Sequence, residues 1–541
     1  MSMILYNGKV YLEKNNFAEA IYIDGNIIKD VGTNEAILAH KTEDMQLIDV
    51  GGKTVIPGLN DSHAHVLFMG NYLNSVQLLG TKCIDDVIQR GREFLKTHTI
   101  LPGQVLMGQG WNQEQFPENE RRFLTRHDLD QISTKVPIIF ARTCGHVTTC
   151  NTKALEVGGF TADTPQVEGG EFEVGEDGQP NGVFKELADR ELRRRVVPLP
   201  TQETIEQDMI TGMDYMASLG ITSIQSMNLR ELRERDDVFS VILKLRDENR
   251  LTMRIYEQNY CVDADSLESY VHSDFYKNLK QDNFYKQGAV KTFLDGSLGG
   301  RTALMKRDYA DMPGERGMHA VAPDEFRKIV ETAHKYGLQV VVHAIGDEAI
   351  GIALEAYASV NEPGKNPLRH SVIHCQITDY SMLRRFKETD TVAIVQPVFL
   401  NSDWSIVEPR VGKDLAKYCY AFKTLSNLGV HIALGTDAPT EDSNPFECIY
   451  CAITRKDLKG NPKGGFYPEE GLDIWEAVDG YTIGSAYASF DENIKGRIKE
   501  GYLADLAVLS DDIFTISSDN IKDIKVEMTV VDGKIVYQRN K

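Results

Sequence analysis

Apolar positions along the chain follow two periods. Near both ends they alternate with polar ones: MILYNGKVYL, EAIYIDGNIIKDVG and MQLIDVGGKTV lie before residue 55, and LADLAVLS and KVEMTVVDGKIVYQ follow residue 502. Alternation with period two predicts half-buried strands. The Asp-Gly pairs at 24–25 and 532–533 sit where hairpin turns belong. Neither end alone supplies enough strands for a stable sheet. The pattern therefore predicts one small β-sandwich composed of residues 1–54 and 495–541.

Between the ends, short apolar runs alternate with segments of helical period. Eight runs read as strands: VIPGLNDSHAH (55–65), ITSIQS (221–226), LTMRIYEQNY (251–260), GAVKTFLDG (288–296), LQVVVHAIG (338–346), HSVIHC (370–375), TVAIVQP (391–397) and VHIALGTDAP (430–439). PDEFRKIVETAHKYG (323–337) has an acidic N-terminal turn, apolar residues at helical spacing and a terminal glycine, all marks of an amphipathic helix. Eight strands alternating with helices predict an α/β fold, a (β/α)8 TIM-like barrel over residues 55–494. About 155 residues separate the first two strands, far more than one crossover helix needs. Residues 80–200 therefore read as an insertion, and its Gly-rich EGGEFEVGEDGQPNG as an exposed hairpin or lid.

Composition narrows the partners. Of 541 residues, 59 are Lys or Arg and 80 are Asp or Glu, a net charge of −21, which disfavours nucleic acid and anionic membranes. No run reaches the ~18 uninterrupted apolar residues of a membrane helix. The first residues read as a strand and not as a signal peptide. Eight cysteines in so long a chain make no disulfide framework, and the single C-x-x-C, Cys448 and Cys451, fits a core helix. The expected compartment is the cytoplasm. A homodimer is a common state for enzymes of this size.

The chemistry gathers at strand ends. In a barrel of this kind the C-terminal ends of the strands build the active site. There the chain carries His63 and His65, then Lys291 and Asp295, His343, His374 and Asp437. His63 and His65 are two apart on a strand, so both imidazoles leave the same face. Neutral imidazole and carboxylate suit zinc and similar divalent ions. A lysine among them fits if burial frees its amine to take up carbon dioxide as a carbamate, an anionic oxygen ligand able to bridge two metals. His319, just before a helix, is a candidate to cap the pocket.

The pieces PGLNDSHAH, GQGWNQ, GHVTTCNTKAL, VKTFLDGSLGGRTA, VVHAIGDEAI, ALGTDAPTEDSNPFECI and GYLADLAVL, spread over residues 56–509, resemble the amidohydrolase superfamily in its amidohydrolase-3 branch, which includes N-substituted formamide deformylase-like proteins. The resemblance implies a metal centre of His63, His65, Lys291, His343, His374 and Asp437, with Lys291 carboxylated. It implies Trp111, His146, Asp295 and Arg301 on the substrate side. It further implies a small-molecule amide substrate and two divalent ions, zinc first, with Mn, Fe or Co as other candidates. Where branch members carry Arg and Glu just before the sixth-strand histidine, this chain has Ser371 and Ile373. Asp347 reads as a structural charge in the first turn of a helix.

The expected reaction is hydrolysis of an amide-type C–N bond, an N-substituted formamide among the candidates. Asp437 serves as general acid and base, and His146 or Arg301 stabilises the oxyanion. Two rival readings keep the fold: a mononuclear deaminase or esterase, and a barrel retained as a non-catalytic binding or regulatory module.

Overall fold

The computed structural model describes residues 2–100, 103–142, 147–167, 169–229 and 232–539. It divides into two compact units, one of Met1–Phe68 with Gly212–Lys541 and one of Met69–Thr211. The first unit opens with β1 (Ser2–Tyr6), β2 (Lys9–Glu13), β3 (Asn16–Ala18), β4 (Ala20–Asp24), β5 (Ile27–Gly32), β6 (Gln46–Asp49), β7 (Thr54–Pro57) and β8 (Leu59–Ala64). The second unit holds β9 (Val76–Gln77), β10 (Leu106–Trp111), β11 (Ile138–Arg142), β12 (Val147–Cys150), β13 (Gly170–Val174) and β14 (Pro180–Glu186). Back in the first unit follow β15 (Ile221–Ser226), β16 (Arg254–Tyr260), β17 (Tyr285–Phe293), β18 (Val340–Ala344), β19 (Ser371–His374), β20 (Val392–Val395) and β21 (Ile432–Leu434). The chain then adds β22 (Leu506–Leu509), β23 (Val526–Val531) and β24 (Lys534–Gln538).

β8 and β15 to β21 form an eight-stranded sheet in the order β21-β20-β19-β18-β17-β16-β15-β8, parallel at every pairing. The seam between β21 and β8 has no regular ladder. Past the end of β21, the Asp437 amide donates to His63 O (2.7 Å) and the His65 amide to Ala438 O (2.8 Å), and these bonds close the barrel. The strand expected at 55–65 is two strands. Thr54–Pro57 pairs with β2 and β22, and only Leu59–Ala64 enters the barrel. The chain changes sheets at Gly58, where an added Cβ would lie 2.2 Å from Thr222 Oγ1.

The two ends of the chain meet in a sheet of order β24-β23-β22-β7-β2-β3, beside a second sheet, β5-β4-β1-β6. Met3, Leu5, Ile21, Ile23, Val55, Leu506, Val508 and Val530 share one buried cluster. Each such side chain contributes about 1.5–3 kcal/mol on full burial. Arg254, at the start of β16, forks onto Asp505 (2.7 and 2.9 Å) and reaches Asp532 (3.0 Å), so the barrel grips the C-terminal strands through a buried ion pair.

The second unit is a mixed sheet, β13-β14-β12-β11-β10-β9. Its Gly-rich stretch forms the β13–β14 hairpin, with a turn closed by Gly175 N–H to Gln179 O at 2.8 Å. Among the described residues, no helix is long and apolar enough to cross a membrane.

Candidate metal centre

Five barrel strands deliver the cluster. β8 carries His63 and, one residue past its end, His65; β17 carries Lys291, β18 His343 and β19 His374, while Asp437 follows β21. His374 and Asp437 have φ of +81° and +58°, the left-handed region that non-glycine residues avoid. Such conformations cost of order 1–3 kcal/mol each and persist where the surroundings hold them.

The side chains meet. Asp437 Oδ1 lies 3.2 Å from His63 Nε2 and 3.0 Å from His65 Nε2. Lys291 Nζ is 3.5 Å from His63 Nε2. The His343 and His374 rings are 4.4 Å apart and His63 is 5.9 Å from His374, centre to centre. One ligand atom from each of His63, His374 and Asp437 falls within 4.8 Å of the others.

Hydrogen bonds on the outer side decide what these rings offer inward. His63 Nδ1 is 2.6 Å from Gln258 Oε1, and Gln258 Nε2 donates to Ser62 O, so it is the amide oxygen that faces the ring. His65 Nδ1 is 2.8 Å from Met227 O, and His343 Nε2 is 2.9 Å from Gly296 O. His374 Nδ1 is 2.8 Å from Gln396 Oε1. Each acceptor claims the one proton of a neutral imidazole, which leaves a lone pair on the inner nitrogen. For His63 and His65 that lone pair faces the Asp437 carboxylate at 3.0–3.2 Å, acceptor against acceptor. A cation between them turns this repulsion into coordination, so the donor set fits a divalent metal.

Electrostatics agree. Burial pushes the His63 imidazole down to about 3 and that of His343 down to about 4, with Lys291 adding to both, and His374 is lowered by burial as well. These rings are neutral at physiological pH, as ligands must be. Burial also brings the Lys291 ammonium down to about 7, so a free amine is available near neutrality.

Other partners hold Asp295 and Arg301. Asp295 spends its carboxylate on the backbone N–H groups of Leu304, Ile345 and Gly346 (2.8–3.0 Å), with His343 Nε2 at 3.6 Å. Arg301 is ion-paired with Asp311 at 2.8 Å. His319 is exposed in the loop after β17. Trp111 is 0% exposed in the core of the second unit, its indole N–H bonded to Phe140 O. His146 lies outside the described residues.

The sequence reading missed several supports. Gln258 and Gln396 orient His63 and His374; Gln396 follows β20, so the neighbouring strand supplies what the absent Arg and Glu before His374 do not. Asp347, by contrast, is the expected first-turn structural charge, and its carboxylate accepts the Lys306 amide at 2.8 Å. Aromatic rings flank the ligands: Phe68 stacks on His65 (5.2 Å), Phe399 on His374 (5.6 Å), and Phe293 lies 5.2 Å from His343 with Tyr260 edge-on at 5.7 Å. The run of polar residues Glu257, Gln258 and Asn259 within the buried part of β16 was the available signal.

Residues 46–537 match the model of the amidohydrolase family. A Bacillus subtilis protein named as an amidohydrolase, YtcJ, is 30% identical over 550 residues and is covered end to end, 100% of both chains. The N-substituted formamide deformylase of Arthrobacter pascens is 25% identical, over 97% of this chain and 96% of its own. The crystal structure of a metal-dependent hydrolase from Pyrococcus furiosus superposes with a TM-score of 0.78 at 27% identity, covering 95% of this chain and 100% of that one.

Proposed function

The chain belongs to the amidohydrolase family, and from that premise we propose that it hydrolyses a carbon–nitrogen bond of an uncharged amide-type substrate, an N-substituted formamide foremost. The observation that carries the reading is the set of inward imidazole lone pairs around Asp437. His63, His65, His343, His374 and Asp437 would hold divalent metal, zinc first, and Lys291 would join them as its carbamate. Bound there, the metal polarises a carbonyl and makes water acidic enough to ionise near neutral pH.

The residues do the rest. Asp437 takes the proton of the attacking water and passes it to the departing nitrogen, because an amine leaves only once protonated. The outer hydrogen bonds of the four histidines hold each ring in one tautomer throughout. Phe68, Phe293 and Tyr260, each half-buried, support an apolar nitrogen substituent. The formamide assignment draws on the Arthrobacter pascens relative.

The test is a panel of N-formyl, N-acyl and cyclic amides offered to metal-reconstituted protein and to Asp437→Asn. N-formyl amines with aromatic substituents should turn over best, and Asp437→Asn should keep its metal and lose most of the rate. Equal turnover by Asp437→Asn removes Asp437 from the reaction, and no hydrolysis across the panel by fully loaded protein defeats the amide reading.

A further inference from the structure

The barrel seam is the one junction of the eight-stranded sheet without a ladder, yet it separates His63 and His65 on one side from Asp437 on the other. Beside the contacts of Asp437 with His63 and His65, a second buried carboxylate spans it. Asp61, 0% exposed, accepts the Thr436 hydroxyl at Oδ2 (2.6 Å), the Thr436 amide at both oxygens (3.2 Å) and the His63 amide at Oδ1 (3.1 Å). Every partner is a donor, so the site requires an acceptor-only group. Thr436 is also buried, and its hydroxyl oxygen accepts from the Ala438 amide at 3.3 Å, which fixes the turn around Asp437. Gly435 makes the approach possible. A Cβ there would sit 2.6 Å from Asp61 Oδ1 and 2.7 Å from His63 N.

We propose that Asp61 is a positioning residue: through Thr436 and the His63 amide it sets the spacing of Asp437 against His63 and His65 across the seam. Both ends of its grip are one bond network from a cluster residue. The His63 amide belongs to a cluster residue itself, and Thr436 directly precedes Asp437, whose left-handed backbone lies past the end of β21 and crosses the seam through its amide bond to His63 O. The inference rests on the reading of the cluster as a metal centre.

The test compares the parent protein with Thr436→Val, Thr436→Ser and Asp61→Asn, each stripped by chelator and titrated with Zn²⁺ against a chromophoric competitor. The visible spectrum of the Co²⁺ form reports ligand geometry, and the melting temperature of the metal-free form reports the fold. Thr436→Val and Asp61→Asn should bind Zn²⁺ about 10- to 100-fold more weakly, with an altered Co²⁺ spectrum, in a metal-free form that melts lower than the parent but still cooperatively, because each change leaves a buried polar group without its partner. Thr436→Ser, which keeps the hydroxyl, should bind like the parent. Parent-like affinity and spectrum in both Thr436→Val and Asp61→Asn, or an equal loss in Thr436→Ser, overturns the proposal. If Thr436→Val does not fold, Asp61→Asn decides by the same readouts. A parent protein that binds no Zn²⁺ overturns the metal reading itself, and this inference with it.

Discussion

Replacing Gln258 by Leu removes one acceptor and little volume. The bond it removes is short, 2.6 Å from Gln258 Oε1 to His63 Nδ1, and both residues are buried. Once it is gone, the His63 Nδ1–H has no partner in a dry site, and a buried unpaired donor costs about 1–3 kcal/mol. The ring can escape that cost by moving its proton to Nε2, the nitrogen that faces Asp437 and Lys291. That tautomer has no lone pair to give a metal. Metal binding must therefore restore the unfavourable tautomer, and 1–3 kcal/mol at 1.4 kcal/mol per decade is a loss of roughly 5- to 150-fold in affinity. The measurement is Zn²⁺ competition with a chromophoric chelator, followed by kcat and KM at saturating metal. Gln258→Glu keeps an acceptor in place and should bind metal at least as tightly as the parent. If folded Gln258→Leu binds Zn²⁺ within twofold of the parent, the hydrogen bond does not set the tautomer and the argument for the lone pairs fails.

Two further outcomes follow from buried groups. Lys291→Ala should lose activity and regain part of it when formate or acetate is added to stand in for the carbamate; normal turnover without additive rejects the carbamate. Glu257 is pushed up to about 8 by burial, partly offset by its bonds from Asn228. Its neutral form is the one the fold accommodates. The stability this form contributes is therefore complete below the unfolded carboxyl pKa and is lost as pH rises toward 8. Glu257→Gln should melt above the parent at pH 8.5 and show no advantage at pH 4.5, and a constant offset across that range would contradict the assignment.

Local period explains what could be read in advance. His63 and His65 share a face because residues two apart on any strand do, and the strand-end positions of Lys291, His343, His374 and Asp437 follow from short apolar runs in order. What was illegible depends on partners distant in sequence. Gln258 reaches His63 although β15 lies between their strands in the sheet, a contact fixed by barrel curvature. Asp61 looked like an ordinary strand residue until its distance to Thr436, 375 positions away, was known. Trp111 could be placed in its motif but not given an environment; packing in the second unit buries it. His370 is fully buried, stacked on Tyr357 at 4.9 Å and accepting the Val340 amide, an environment that no local pattern announces. The break at Gly58 escaped notice because Pro57 and Gly58 interrupt a run whose apolar pattern continues across two sheets.

The sheet that joins both ends of the chain has a consequence for biosynthesis. β7 is translated early, but its neighbour β22 begins at Leu506 and the hairpin beyond it ends at Gln538. Until the ribosome has released those last residues, Val55 has no Leu506 or Val508 to cover it, and Arg254 waits for Asp505 and Asp532. Nascent chains therefore carry an open apolar seam and an unanswered guanidinium for most of elongation, a state that invites aggregation and chaperone capture.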